Sequence, residues 1–390
     1  MKIAFIGQKG IPAKSGGVET HVEHLAVRLA ALGHEVTVYS RPYYSDPSVR
    51  TWNGVHIVSL PSIATKHLDA LSHSFLSTVH ALFCGYDVIH YQSIGPSVFA
   101  FIPKFFSRKT TVVATFHSRD YFHGKWGSFA KACLRFAERL TCDMPHRTIT
   151  VSRGMAAYAK KRYGRDIVYI PNGAEAVVAE SSDLIGVFGL KEKRYVLSVS
   201  RLVSHKGIHH LIQAFLELED TGRIQNNFKL AIVGTHAGTP GYERYIRNMS
   251  EGRDSVLFLG EQSGEALAEL YGNAAVFVQP SEDEGLSLSL LEAMSYGLPI
   301  VASRIPGNEE ALGDTGAYFE QKNIESLKAE LAKLLSRPET MREYGESARK
   351  RAADLYGWES ITRQTVELYE EMEHLRNGKR YDIRHRQRVA

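Results

Sequence analysis

Short runs rich in β-branched and aromatic residues alternate along the chain with longer segments of helical period. In the first half the runs are KIAFI (2–6), EVTVYS (35–40), VHIVSL (55–60), DVIHYQ (87–92), TVVATFH (111–117), TITVS (148–152) and IVYIP (167–171). In the second half they are YVLSVS (195–200), FKLAIVG (228–234), VLFLG (256–260), AVFVQP (275–280) and PIVAS (299–303). Between them, Val18–Ala31 sets Val22, Leu25, Ala26 and Leu29 on one stripe, and Leu286–Tyr296 has the same period. Several runs are apolar on both faces, as when helices cover both sides of a parallel sheet. The alternation predicts two doubly wound α/β domains in tandem. An Asn-Gly pair and an irregular stretch with Ser181, Ser182 and Asp183 mark the boundary within Pro171–Lys193. After Asn323 the pattern reads as three helices, over 324–335, 339–352 and 358–373. The expected division is 1–175 for the first domain, 176–193 for a linker and 194–373 for the second, with 374–390 packing back on the first.

Composition narrows the class. Hydrophobic residues make up 44% and charged residues 23% of 390, an ordinary globular balance that excludes disorder or coiled coil as a description of the whole. No periodicity of 20–50 residues marks a solenoid. The longest apolar stretches, such as Ile94–Phe106, carry Pro or Lys and fall short of the ~20 residues a spanning helix needs. The opening MKIAFIG runs straight into a strand and is too short for a signal peptide. Cys84, Cys133 and Cys142 have neither disulfide nor zinc spacing, which fits small core residues in a reducing cytosol. The net charge of +4 hides an asymmetry: residues 1–190 carry +8, 191–375 carry −9 and the tail 376–390 carries +5. A basic first half suits an anionic membrane surface, a nucleic acid or a phosphorylated substrate.

Four places carry candidate chemistry. Gly7-Gln8-Lys9-Gly10-Ile11-Pro12-Ala13-Lys14-Ser15-Gly16-Gly17 links the first strand to a helix start, where backbone N–H groups suit a phosphate and glycines permit close approach. The spacing is not that of a dinucleotide fingerprint, and no carboxylate follows the second strand at Tyr39-Ser40-Arg41. Glu19 complements the helix dipole. In the second half, Arg201 and Lys206 lie five apart in a strand-to-helix loop and can converge on one diphosphate, the Arg as a planar fork and the Lys as a point charge. After AVFVQP comes Glu282-Asp283-Glu284-Gly285-Leu286-Ser287, with Glu292 two turns further on. A helix opened by Gly285, Leu286 and Ser287 can hold a phosphate, and Glu284 and Glu292 can accept from sugar and ribose hydroxyls. His117 ends an apolar strand, at the edge where open α/β sheets bind ligands. No His/Cys/Glu set has metal spacing, and neither D-x-D nor G-x-S-x-G occurs.

Arg201 with Lys206, and Glu284 with Glu292 in an E-x7-E pattern, resemble the retaining glycosyltransferases of family 4, which have the GT-B fold. GGVE at 16–19, FHS at 116–118, TVS at 150–152 and PNG at 171–173 fit in order along nearly the whole chain. The opening is similar to a branch found in bacterial cell-surface polysaccharide pathways, rhamnosyltransferases among them. The resemblance implies two Rossmann-like domains facing a central cleft, with a C-terminal helix crossing back to the first domain. It implies that Arg201 and Lys206 bind the donor diphosphate and that Glu284 holds donor-sugar hydroxyls. Backbone N–H groups of Gly285, Leu286 and Ser287 would meet the phosphate. Glu292 would hold the nucleotide ribose, His117 would touch the sugar from the other domain, Gly16 and Gly17 would close over the phosphates, and Asn172 would join the donor site. The implied reaction retains anomeric configuration by same-face substitution, with no metal and no cofactor beyond the nucleotide-sugar donor. The leaving phosphate takes the acceptor proton, so catalysis is positioning and charge stabilisation. The chain departs from many relatives at Ile305-Pro306-Gly307-Asn308-Glu309, where they carry Gly-Gly-x-Pro-Glu.

Basic and aromatic residues interleave in Phe101–Lys109, and again over 122–139 with Lys125, Trp126, Phe129, Lys131, Arg135 and Phe136. Such patches suit an anionic membrane interface, and the implied acceptor is a glycan or a lipid-linked glycan. The expected enzyme is cytoplasmic and peripheral on the inner face of the membrane. Competing readings are a nicotinamide oxidoreductase, which lacks its fingerprint, a GT-B phosphorylase or epimerase, and a catalytically dead scaffold. A nucleic-acid-binding protein is a further alternative, with no basic-aromatic module to match. The sequence names neither sugar, base, linkage nor acceptor.

Overall fold

A computed structural model describes residues 1–14, 16–65, 68–118, 128–177, 183–225, 227–236 and 238–376. It divides into two compact units, Met1–Pro171 with the segment from Trp358 onward, and Asn172–Gly357. In chain order the first stretch holds β1 (Lys2–Ile6), α1 (Gly17–Ala31), β2 (Glu35–Ser40), β3 (Thr51–Trp52), β4 (Val55–Ser59), α2 (Asp69–Leu82), β5 (Val88–Gln92), α3 (Phe101–Phe106), β6 (Thr111–Phe116), α4 (Ser128–Asp143), β7 (Arg147–Thr150), α5 (Arg153–Tyr163) and β8 (Val168–Tyr169). The second holds α6 (Asp183–Val187), β9 (Tyr195–Val199), α7 (Ile208–Asp220), β10 (Lys229–Val233), α8 (Pro240–Met249), β11 (Val256–Phe258), α9 (Gly264–Asn273), β12 (Val276–Gln279), α10 (Leu288–Ser295), β13 (Ile300–Ser303), α11 (Pro306–Leu312), β14 (Ala317–Phe319), α12 (Ile324–Leu335) and α13 (Pro338–Tyr356). The last helix among the described residues is α14 (Trp358–Arg376).

The first unit is an eight-stranded sheet ordered β3-β4-β2-β1-β5-β6-β7-β8, parallel except where β3 pairs antiparallel with β4. Strands β5 and β6 are buried at every position, including the polar His90, Gln92 and Thr115 set among their apolar residues. The stripe Val22, Leu25, Ala26 and Leu29 of α1 faces inward as its period predicts. Burying each of its Val and Leu side chains contributes about 1.5–3 kcal/mol. Helix α14 completes this unit. The indole of Trp358 stacks on His24 at 5.0 Å, and the Tyr369 hydroxyl lies 2.6 Å from His90 Nδ1 beneath the sheet's surface. The expected boundaries therefore shift. The first unit regains the chain at Trp358, not at residue 374, because Trp358 and Tyr369 bury themselves there.

Helix α2 is turned the unusual way round. His73, Ser74, Ser77 and Thr78 are buried, while Leu68, Leu71, Phe75 and Leu76 face solvent. Beside it, α3 exposes Phe101, Phe105 and Phe106. Of the cysteines, Cys142 is buried, Cys84 half-buried and Cys133 exposed, so the expectation of three core residues fails at Cys133.

In the second unit the sheet runs β11-β10-β9-β12-β13-β14, all parallel. Counted within the unit this is third, second, first, fourth, fifth, sixth, so the order reverses between β9 and β12. The unit begins at Asn172 and not after an irregular linker ending at 193. Helix α6 lies inside that stretch, with the N–H groups of Leu184 and Ile185 both donating to the buried Glu269 carboxylate at 2.9 and 3.2 Å. Residues 178–182, where Ser181 and Ser182 fall, lie outside the described residues. Two strands escaped the hydrophobic pattern, β3 with two residues and β14 with three, both too short to show alternation.

Candidate functional site

Strand order reverses between β9 and β12, the place where open α/β sheets hold ligands outside the carboxyl ends of their strands. The loops leaving these two strands are Ser200–Gly207 and Pro280–Ser287. Gly207 has φ 68°, and a Cβ there would fall 2.0 Å from the Pro280 carbonyl oxygen. That close approach sets Lys206 against Glu284, and their side chains form an ion pair only 12% and 10% exposed. Glu284 Oε1 accepts from Lys206 Nζ, from Gln279 Nε2 at 2.8 Å and from Ser281 Oγ at 2.7 Å. Burial pushes this carboxyl up, but the Lys206 ammonium and these hydrogen bonds outweigh it, so Glu284 titrates below the usual range. Among the described residues Oε2 has no partner, and an ionised oxygen there can only accept. Arg201 stands exposed at the start of the same loop, its guanidinium without a carboxylate partner among the described residues.

Gly285, Leu286 and Ser287 lead into the helix and do not open it. Helix α10 starts at Leu288 with Ser287 as its N-cap. Asn172 is buried and donates from Nδ2 to the Leu286 carbonyl at 2.8 Å, fixing this turn. Gly307 packs against the same loop, because a Cβ there would lie 2.6 Å from the carbonyl oxygens of Glu284 and Gly285. Asn308 Nδ2 donates to the Ser303 carbonyl at 2.9 Å, and Ser303 Oγ donates to the Ser281 carbonyl at 2.5 Å. The departure at Ile305–Glu309 thus still supports the Glu284 loop from below. Glu292, on α10, receives the Tyr271 hydroxyl at 2.9 Å on Oε2. Burial raises its pKa to about 7, the Tyr271 hydrogen bond pulling the other way.

In the first unit Gly16 is the N-cap of α1 and Gly17 its first residue. Glu19 is buried and accepts the Lys9 N–H at 3.0 Å, and Glu23 accepts that of Ala13 at 2.7 Å. Both acids therefore fold the preceding loop onto α1, beyond the dipole role expected of Glu19. His117 is buried at the end of β6, its Nε2 2.7 Å from Gln92 Oε1. Burial, then His21 and His90, hold it well below the usual histidine pKa.

One cluster crosses the expectation that no metal set exists. His209, His210 and Glu282 place their ligating atoms within 4.8 Å of one another. Only the fold reveals it, since Glu282 is remote in sequence. Lys322 Nζ sits 2.8 Å from Glu282 Oε2, so an ammonium already balances that carboxylate.

Two family matches divide the chain between them. Residues 15–176 match Glycosyltransferase Family 4, and residues 183–351 match Glycosyl transferases group 1. The chain is a GT-B glycosyltransferase of the group 1 and family 4 type. A similar protein is the MMP alpha-(1->4)-mannosyltransferase of Mycolicibacterium hassiacum, 26% identical over 95% of this chain and 98% of that one. Another is the O-antigen chain mannosyltransferase B of Escherichia coli, 29% identical over 52% of this chain and 51% of its own. Among solved structures, Anabaena Alr3699/HepE in complex with UDP and glucose shares the fold with a TM-score of 0.79 at 20% identity, over 95% of this chain and all of that one.

In this glycosyltransferase the second unit gathers Lys206, Glu284, Gly285, Leu286, Ser287 and Asn172 around one turn, with Arg201 in the adjoining loop and Glu292 further along α10. Gly16, Gly17 and His117 belong to the first unit. Sequence reading missed Gln279, Ser281 and Tyr271, the residues that hold the two carboxylates. A buried Gln ending an apolar strand was the one signal available.

Proposed function

We propose that this glycosyltransferase moves a hexose or deoxyhexose from a nucleoside diphosphate sugar to a glycan acceptor with retention of configuration and without a metal. The observation that carries this reading is the Lys206–Glu284 pair at the strand-order reversal. Lys206 has three N–H donors, so one can stay on Glu284 while the others meet a diphosphate. Arg201 adds a fork to the same charge, which grows as the sugar–phosphate bond breaks. The free Oε2 of Glu284 accepts from donor-sugar hydroxyls. Glu292 takes the ribose diol, and the backbone of Gly285 to Ser287, with Asn172 behind it, faces the phosphates. The leaving phosphate takes the acceptor proton.

The acceptor, in this reading, is a lipid-linked glycan of bacterial cell-surface polysaccharide synthesis. The similarity to an O-antigen mannosyltransferase supports the pathway. The outward apolar face of α2 and α3, beside Lys104, Arg108 and Lys109, supports a peripheral place on an anionic membrane. No helix among the described residues is long and apolar enough to cross one. The test is a panel of UDP-, GDP- and dTDP-sugars in excess EDTA. One donor should release nucleoside diphosphate slowly alone and faster with acceptor, giving a product of unchanged anomeric configuration by proton NMR. Activity lost to chelation and restored by magnesium or manganese, or an inverted product, would overturn it.

A further inference from the structure

Both carboxylates of the donor site share one design: the protein pins one oxygen and leaves the other open. For Glu284 the pins are Lys206, Gln279 and Ser281. For Glu292 the pin is the hydroxyl of Tyr271, a residue from α9 outside every motif of the family resemblance. Tyr271 is 2% exposed, and its ring stacks on Tyr296 with centroids 5.3 Å apart and planes at 17°. Tyr296 is itself held. Its hydroxyl donates to the Val177 carbonyl at 2.9 Å and accepts the Val177 N–H at 3.1 Å. The Tyr271 hydroxyl also lies 3.3 Å from the Ser289 carbonyl, so it is aimed at the inner edge of α10. Nothing in that geometry leaves the phenol free to turn.

Resting on the reading of Glu292 as the ribose ligand, we propose that Tyr271 is the positioning residue that aims the Glu292 carboxylate at the ribose diol. A carboxylate without a second-sphere donor rotates about its last bond and offers its oxygens in no fixed direction. With Oε2 tied to Tyr271, Oε1 alone remains for the ribose. The hydrogen bond also favours the ionised form, which is the form that accepts from a diol. The titratable groups facing this carboxyl are the Tyr271 phenol from α9 and the Tyr296 phenol just past the end of α10. Burial holds both phenols above their usual range, so neither loses its proton before Glu292 does.

The test uses the full chain, UDP and GDP, and their 2′-deoxy counterparts, with dissociation constants measured by calorimetry from pH 6 to 9. The variants are Tyr271→Phe, Glu292→Gln and the double substitution. Tyr271→Phe should weaken the ribonucleotide roughly tenfold at pH 7, as for a lost bond to a charged group, and leave the deoxynucleotide unchanged. Its affinity should rise with pH along a curve displaced to higher pH than in the parent. Glu292→Gln should abolish the preference for ribose, and the double variant should be no worse. The ratio of the two constants is independent of the fraction folded, so simple destabilisation does not imitate the result. Equal weakening of both nucleotides, or a full ribose preference in Tyr271→Phe while Glu292→Gln has lost it, removes Tyr271 from the role and leaves the donor reading intact. A ribose preference that survives Glu292→Gln defeats the reading of Glu292 itself.

Discussion

Arg201 and Lys206 have the same assigned task and different surroundings, so their variants separate. Arg201 is exposed, and Arg201→Ala should lower turnover by about 10²–10³ with the melting temperature unchanged, as for losing one transition-state donor. Lys206 is buried against Glu284. Lys206→Ala strands a buried charge, which typically costs about 3–5 kcal/mol, so it should lose both turnover and stability. Adding Glu284→Gln should recover melting temperature without recovering turnover. If Lys206→Ala melts like the parent, the pair is not buried as described. At this scale the sequence was legible where charge and spacing speak directly: Arg201, Lys206, Glu284 and Glu292 were all visible in the linear order. It was silent on Gln279 and Tyr271, because their role lies in which oxygen they reach, and no spacing encodes that.

Among elements, α14 makes the sharpest prediction. Removing the indole of Trp358 should cost about 3–5 kcal/mol in urea denaturation, since the side chain is 2% exposed. Tyr369→Phe leaves His90 Nδ1 without its partner and should cost about 1–3 kcal/mol. Burial lowers the pKa of His90 to about 3 and of His73 to about 4, and holds His117 well below its usual value. Each binds its proton more readily when unfolded. Their contribution to the first unit is therefore present above about pH 6.5 and lost as pH falls toward these values. Glu292 in the second unit has the opposite sign, because its folded pKa is raised. The urea midpoint of the first unit should fall steadily between pH 6.5 and 4, and a flat profile would sink the assignment. Helix periods were readable here, with α12 matching its expected span. Ends were not: α10 begins at Leu288 because Asn172 holds the Leu286 carbonyl in a turn, a contact between residues 114 positions apart.

For the whole molecule, charge and hydropathy point one way. Phe105 and Phe106 are 67% and 77% exposed on α3, next to Arg108 and Lys109, and α2 adds Leu71, Phe75 and Leu76. Replacing Phe75, Phe105 and Phe106 by Gln should leave the unfolding free energy within about 1 kcal/mol of the parent, since exposed side chains contribute little. The same variant should lose co-sedimentation with anionic vesicles, and binding by the parent should weaken with salt. Binding that ignores both salt and anionic lipid would exclude this surface. The basic tail over 377–390, the residues Lys125 and Trp126, and the side chain of Phe129 lie outside the described residues, so a chain ending at Leu375 tests the tail separately. The charge asymmetry was legible from sequence. The inverted face of α2 was not, because its Ser and Thr positions resemble a solvent face and its Leu and Phe positions a core.

The first unit is made of two pieces of chain with 186 residues of the second unit between them. A ribosome adding about 5–20 residues per second therefore delivers α14 roughly ten to forty seconds after β8 has been made. During that interval the nascent first unit has neither Trp358 to cover His21 and His24 nor Tyr369 to meet His90. The second unit is contiguous and can close as soon as Gly357 clears the exit tunnel. The order of completion on the ribosome is thus the reverse of the order of synthesis, and the unit that starts first depends longest on whatever shields its unfinished face.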